Sequence, residues 1–278
     1  MSAPTLYSVV LNLTPVAAAT VEKAAGQQMH APFLAAVRTA DPELAHAFRA
    51  ARRGIRPFTL SPLRGVAAHD GALMLRPGQD CWMRLTLLES ALYAQLADRF
   101  GSGAPRPAVR LDHAELRVHE LLTVPGAHPG AGHVTWRELA ERASTATEIT
   151  LRFKSPTAFS FGDRHAGKRI VLLPDTALVF DSLARAWNEY APEHLRVDRR
   201  ALRTFAAEHI VGRQFGQLDT HLLYPNRAYQ VGFVGEVRFT LVDASEDERR
   251  RCNMLADFAF YAGVGMKTAM GMGQCCRK

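Results

Sequence analysis

The chain has few cysteines and no long apolar run. Its four cysteines, Cys81, Cys252, Cys275 and Cys276, form no C-x-x-C pair. Neither a zinc knuckle nor a dithiol redox motif is therefore supported. Cys275 and Cys276 are adjacent and would point to opposite faces of a strand, which argues against a bond between them. No stretch of eighteen apolar residues occurs, and the opening residues lack the charged-then-apolar layout of a secretory signal. No Cys/His/Asp set has metal-ligand spacing. A reduced, cytoplasmic protein with no membrane partner, no metal and no cofactor is the expectation. Negative charge is also in deficit: 34 Lys and Arg face 27 Asp and Glu, a formal net charge of +7. Such a balance favours a polyanionic partner.

What is present points to an ordinary folded protein. Apolar residues make up 47% of the 278 and charged residues 22%, enough for a core without staples. The length allows two domains. Residues 5–13 alternate as a strand, with Tyr7, Val9, Leu11 and Leu13 on one face and Tyr7 in the core. Residues 19–39 read as a helix from Thr20, broken or kinked at Pro32. Asp41-Pro42 opens another, with Asp41 as cap and Pro42 at the first helical position. A basic run follows, Arg49, Arg52, Arg53 and Arg56, leading into Phe58-Thr59-Leu60-Ser61-Pro62-Leu63. Strands are expected at 67–75, 81–88 and about 109–123, with a helix over Ser90 to Phe100. After a small helix at 135–145, Glu148 to Lys154 alternates cleanly until Ser155-Pro156-Thr157 stops it. A strand at 170–173, helices over 175–190 and 198–208, a strand at 231–242 and a helix from Ser245, boxed by Glu248, complete the course. Trp82 and Trp187 are core candidates. This order gives an α+β fold of two ferredoxin-like units, β-α-β-β-α-β twice. The expected domains are 1–135 and 146–278.

The chain closes on a glycine-rich segment, Tyr261-Ala262-Gly263-Val264-Gly265-Met266-Lys267-Thr268-Ala269-Met270-Gly271-Met272-Gly273-Gln274. A Walker loop needs G-x-x-x-x-G-K-[ST] between strand and helix, but Lys267-Thr268 sits one place off. The dinucleotide pattern fails as well, since Thr268 stands where its third glycine belongs. What remains is a loop between helix and strand that carries a lysine in a basic protein. Its simplest use is to let the backbone approach an RNA phosphodiester.

Several of these segments together resemble one family. Leu255-Ala256-Asp257-Phe258-Ala259-Phe260-Tyr261, running into the glycine segment, is the most specific, with Phe233-Val234-Gly235-Glu236-Val237 upstream. Ile149 to Phe159, Pro174 to Trp187 and residues 41–63 support it. The sequence resembles Cas6, the RAMP-superfamily endoribonuclease that processes CRISPR precursor RNA. The resemblance implies tandem ferredoxin-like domains that bind CRISPR repeat RNA and cut it without metal. The RNA 2′-OH would attack its adjacent phosphate to leave a 2′,3′-cyclic phosphate and a 5′-OH. That chemistry needs a base, an acid and a cation at the phosphorane.

The family's His lies before the Phe-Thr-x-Ser-Pro-Leu stretch, which points to His46, with His30 the second candidate. Arg49, Arg52 and Arg53 are candidates to stabilise the phosphorane. Gly263, Gly265, Lys267, Thr268, Gly271 and Gly273 would meet the RNA backbone, and Arg152 and Lys154 would add a basic strand face. Lys168 and Arg169, beside Arg164 and His165, could grip an RNA stem. A non-catalytic RNA-binding subunit of a CRISPR effector complex is the alternative reading. Monomer and homodimer both stay open.

Overall fold

The computed structural model describes residues 3–23, 27–101, 107–162, 169–223 and 230–278. They form two compact units. One runs to Val134 and includes Ala269–Gly271; the other comprises Thr135–Leu223, Gln230–Thr268 and Met272–Lys278.

In the first unit the elements are β1 (Thr5–Pro15), β2 (Ala19–Glu22), α1 (His30–Ala40), α2 (Pro42–Arg49), β3 (Phe58–Leu60), β4 (Ala68–His69), β5 (Ala72–Leu75), β6 (Cys81–Leu87), α3 (Ser90–Phe100), β7 (Ala108–Leu111), β8 (Ala114–Leu122) and β9 (Gly132–Thr135). The main sheet runs β3-β6-β1-β8-β7, and β9 adds to β1. Within it β3-β6-β1-β8 have the ferredoxin-like order, and each neighbouring pair is antiparallel. Val9, Leu11 and Leu13 enter the core, as their alternation requires. The opposite face of β1 is also covered: Ser8 is fully buried, donates to the Gly130 carbonyl at 2.5 Å and accepts from Arg84 Nε at 2.8 Å. Tyr7 is half-buried at the edge of the core and stacks on Tyr93.

Two local expectations change here. Residues 19–22 form a strand rather than the start of a helix, because Thr20 and Val21 are β-branched and pair with Met74 and Leu73 of β5. The helix begins at His30. Pro32 lies within its first turn, where a missing N–H costs no intrahelical bond, so it neither breaks nor kinks the helix. By contrast α2 starts as read: the Asp41 carboxylate accepts from the Glu43 and Leu44 amides, and Pro42 follows it.

The second unit contains α4 (Trp136–Glu141), β10 (Glu148–Thr157), β11 (Phe159–Phe161), β12 (Arg169–Val171), α5 (Thr176–Tyr190), α6 (Arg199–His209), β13 (Ile210–Leu223), β14 (Gln230–Leu241), α7 (Glu246–Ala262) and β15 (Cys275–Arg277). Its sheet runs β13-β14-β10-β15, again the ferredoxin-like order. Three large rings, Trp136, Trp187 and Phe258, lock the helices together with centroids 5.0 to 5.3 Å apart. Trp82 of the first unit is only half-buried, with His128 set edge-on to it. The strand at β10 passes through Ser155-Pro156-Thr157 instead of stopping, and the register shift between Phe153 and Thr157 absorbs the proline. Strand β13 has no counterpart in the sequence reading. It is an edge strand with Arg213, Gln214, Gln217 and Asp219 exposed, so no apolar alternation marks it.

Under the first unit's helices, Phe33 meets Phe48 edge-on at 5.5 Å, and Phe48 meets Phe58 edge-on at 5.1 Å. All three are fully buried. Phe48→Ala removes the middle ring, so it should cost about 3–5 kcal/mol. Urea unfolding of the variant beside wild type checks this.

Candidate active site

His30 is the first residue of α1, and Leu34 and Arg38 follow at one-turn intervals on the same helix face. Arg49 ends α2. Beyond it the chain makes a two-residue turn. Arg52 and Ile55 exchange backbone hydrogen bonds of 2.9 and 2.8 Å, and the central Arg53 and Gly54 both take positive φ, 45° and 80°. Positive φ at both central positions is the type I′ signature, which glycine supplies readily. This turn folds residue 56 back onto residue 49, and Arg56 Nη1 donates to the Arg49 carbonyl.

Those elements enclose an open cavity of about 400 Å³ lined by His30, Leu34, Arg38, Arg49 and Arg56, with two alanines. Three guanidinium groups and an imidazole meet there, and no carboxylate is in the lining. Such a site has the charge to hold a phosphodiester.

His30 is half-buried and held on two sides. Its ring stacks on Phe58 with centroids 5.8 Å apart and planes 3° from parallel. Its Nδ1 lies 2.8 Å from the carbonyl oxygen of Ala269. A carbonyl only accepts, so Nδ1 carries the proton and Nε2 keeps a lone pair. Burial pushes the His30 pKa below its ordinary value; Arg56 and Arg49 push the same way, and the Ala269 carbonyl opposes them. The neutral imidazole is therefore the favoured form at neutral pH, with Nε2 able to take a proton.

The other sequence candidates fall elsewhere. His46 is exposed in the last turn of α2 and is not in the cavity lining. Arg52 pairs with Glu89 at 2.9 Å. Arg53 occupies the turn. Arg38 and Arg56 line the cavity but did not stand out in the sequence as site residues. The signal for Arg38 was its eight-residue spacing from His30, two turns of one face.

The glycine segment is mostly buried. A Cβ at Gly265, φ 84°, would sit 2.4 Å from the Ala158 carbonyl; at Gly273, φ 68°, it would sit 2.1 Å from that of Val264. The close approaches these glycines permit are to the protein's own backbone. Gly263 and Gly271 are buried too, Thr268 is half-buried, and Lys267 is the residue the segment exposes. On the sheet, Arg152 and Lys154 are exposed, and Arg152 approaches Glu236 at 3.5 Å. Arg169 is exposed at the start of β12, while Arg164, His165 and Lys168 lie outside the described residues. Among the described residues, no group of three or more His, Cys, Asp or Glu is placed to hold a metal ion, and no helix is long and apolar enough to cross a membrane.

With two antiparallel sheets of ferredoxin-like order, the chain has a tandem ferredoxin-like architecture. The profile described as CRISPR Cas6 N-terminal domain matches residues 5–141, and that described as CRISPR-associated endoribonuclease Cas6 matches 151–275. The chain belongs to the Cas6 family. A Cas6 product complex is 28% identical with a TM-score of 0.81, over 99% of this chain and 100% of that one. Thermus thermophilus Cas6 is also 28% identical, with a TM-score of 0.76 and full coverage of both chains. The CRISPR-associated endoribonuclease Cas6 of Streptococcus thermophilus is 25% identical over 136 residues, 49% of this chain. That match spans 53% of the relative, so the chain covers about half the length of the curated protein it resembles.

The depressed His30 pKa has a sign. Below the unfolded value near 6.5 the unfolded chain binds the proton that the native state resists. His30 thus contributes stability that is complete above that value and is lost as pH falls towards the lowered native value. Urea midpoints at pH 7.5 and pH 5.5 should show wild type losing more stability on acidification than His30→Gln does.

Proposed function

We propose that this protein is an endoribonuclease that cleaves CRISPR repeat RNA within precursor transcripts by acid–base catalysis without metal. The observation that carries the reading is the cavity that His30, its Nδ1 engaged by the Ala269 carbonyl, lines together with Arg38, Arg49 and Arg56. Family membership supplies the substrate class.

In this reading the scissile phosphate sits among Arg38, Arg49 and Arg56. His30 Nε2 takes the proton of the adjacent 2′-OH. The 2′ oxygen then attacks phosphorus, the P–O5′ bond breaks, and a proton returns to the departing 5′ oxygen. The products are a 2′,3′-cyclic phosphate and a 5′-OH. The phosphorane carries more negative charge than the ground state, so fixed guanidinium groups favour it selectively. Lys267, Arg169, Arg152 and Lys154 are proposed to meet RNA phosphates away from the cut. The glycines Gly263, Gly265, Gly271 and Gly273, with Thr268, serve by shaping the segment that bears Lys267. The protein acts in the cytoplasm.

One observation favours a second reading. His46, the residue pointed to by the family pattern, is exposed and outside the cavity lining. A non-catalytic RNA-binding subunit of an effector complex would bind repeat RNA tightly and release no product.

The test is to incubate the protein with its own repeat RNA in EDTA and map both ends. Wild type should give one cut with a cyclic phosphate. His30→Ala should slow it about 10²–10⁴-fold, Arg56→Ala should slow it about 10²–10³-fold, and His46→Ala should cut nearly as wild type. A bound but uncut RNA would favour the second reading. Rapid cutting by His30→Ala would remove His30 from the mechanism.

A further inference from the structure

A second aromatic cluster in the first unit takes no part in the chemistry above. Tyr7 of β1 and Tyr93 of α3 lie face to face, with centroids 3.9 Å apart and planes 14° from parallel. Two like rings avoid full overlap, because it sets one electron-rich face on another; offset or edge-on contact is preferred. Both rings are half-buried. His133 of β9 is exposed and lies 6.1 Å from Tyr7, tilted by 34°. Its Nδ1 is 3.1 Å from the Thr123 carbonyl, which fixes the proton on that nitrogen and orients the ring.

The cluster lies two strands away from the ring on which His30 stacks. Tyr7 and Phe58 both pair with Leu87, so they lie in one row across β1, β6 and β3. Strands are about 4.8 Å apart, which puts the row positions of Tyr7 and Phe58 about 10 Å apart. His30 stacks on Phe58. Along α3, Tyr93 stands one turn beyond Glu89, the carboxylate that receives Arg52. The basic turn after α2 thus leads from the cavity to the aromatic cluster.

We propose that Tyr7, Tyr93 and His133 form a nucleobase platform, which stacks an unpaired base of the RNA a nucleotide or two from the scissile phosphate. Every base has a π-face, so a ring stack accepts a base with little sequence preference. The neighbouring arginines hold the backbone. The proposal rests on the endoribonuclease reading.

The experiment measures binding of repeat RNA carrying a 2′-deoxy residue at the cut, so affinity is read without cleavage. Tyr93→Leu should weaken binding about 5- to 100-fold, while Tyr93→Phe should keep it. An abasic nucleotide placed at each of four positions around the cut should cost wild type a similar factor at one position. At that position it should cost Tyr93→Leu nothing more. His133→Ala, at an exposed position, repeats the cycle if Tyr93→Leu unfolds. Wild-type affinity in both variants, or abasic losses that add to the variants' losses at every position, overturns the platform alone. No binding of repeat RNA by wild type overturns the platform together with the reading beneath it.

Discussion

A carbonyl oxygen cannot donate, and that of Ala269 sits 2.8 Å from Nδ1 of His30. Much of the functional account depends on this bond. It decides which imidazole nitrogen bears the proton, and so which is left to act. Phe58 fixes the plane of the same ring, and the buried Phe33–Phe48–Phe58 chain fixes Phe58. A proton-transfer group must be both correctly protonated and correctly aimed. In the proposed role of His30, one hydrogen bond sets the protonation and one aromatic stack sets the ring plane. Ala269 is itself buried and belongs to the first unit's core.

The cation half of the site has a different origin. Arg49 and Arg56 are seven residues apart and end up together because Arg53 and Gly54 turn the chain in two residues. Arg38 joins them from the far end of the His30 helix face. Concentrating three guanidinium groups without a carboxylate is costly for an isolated fold, through like-charge repulsion. An RNA phosphate relieves it. Burial first, and then Arg56 and Arg49, favour the neutral imidazole. In the proposed reaction, base and electrostatic stabiliser are thereby coupled: Arg49 and Arg56, proposed to favour the phosphorane, also help to keep His30 able to accept a proton.

Much of the architecture could be read from local pattern, because its elements carry local marks. The alternation of 5–13 and 148–154, the Asp41-Pro42 cap and the Ser245–Glu248 box all reappear in the structure. The tandem ferredoxin-like class follows from their order. Strand β13 was illegible because an exposed edge strand needs no apolar face. Residues 19–22 misled because a short β-branched strand was joined in reading to the helix that begins at His30. The candidate site was only half legible. Its residue types and the basic run were visible, but the partner that singles out His30 lies 239 positions away. No local spacing carries such a contact, whereas His46 stood beside the family pattern in plain sequence. The glycine segment changed meaning for the same reason: its glycines meet Ala158 and Val264, contacts that only the folded chain creates.

The central claim concerns one proton, and it can be read directly. Nitrogen-15 shifts of the His30 imidazole in the intact protein at pH 7.5 report which ring nitrogen is protonated. The account predicts a neutral ring with a protonated, pyrrole-like Nδ1 and a bare, pyridine-like Nε2. The opposite tautomer, or a ring still charged at that pH, would contradict it.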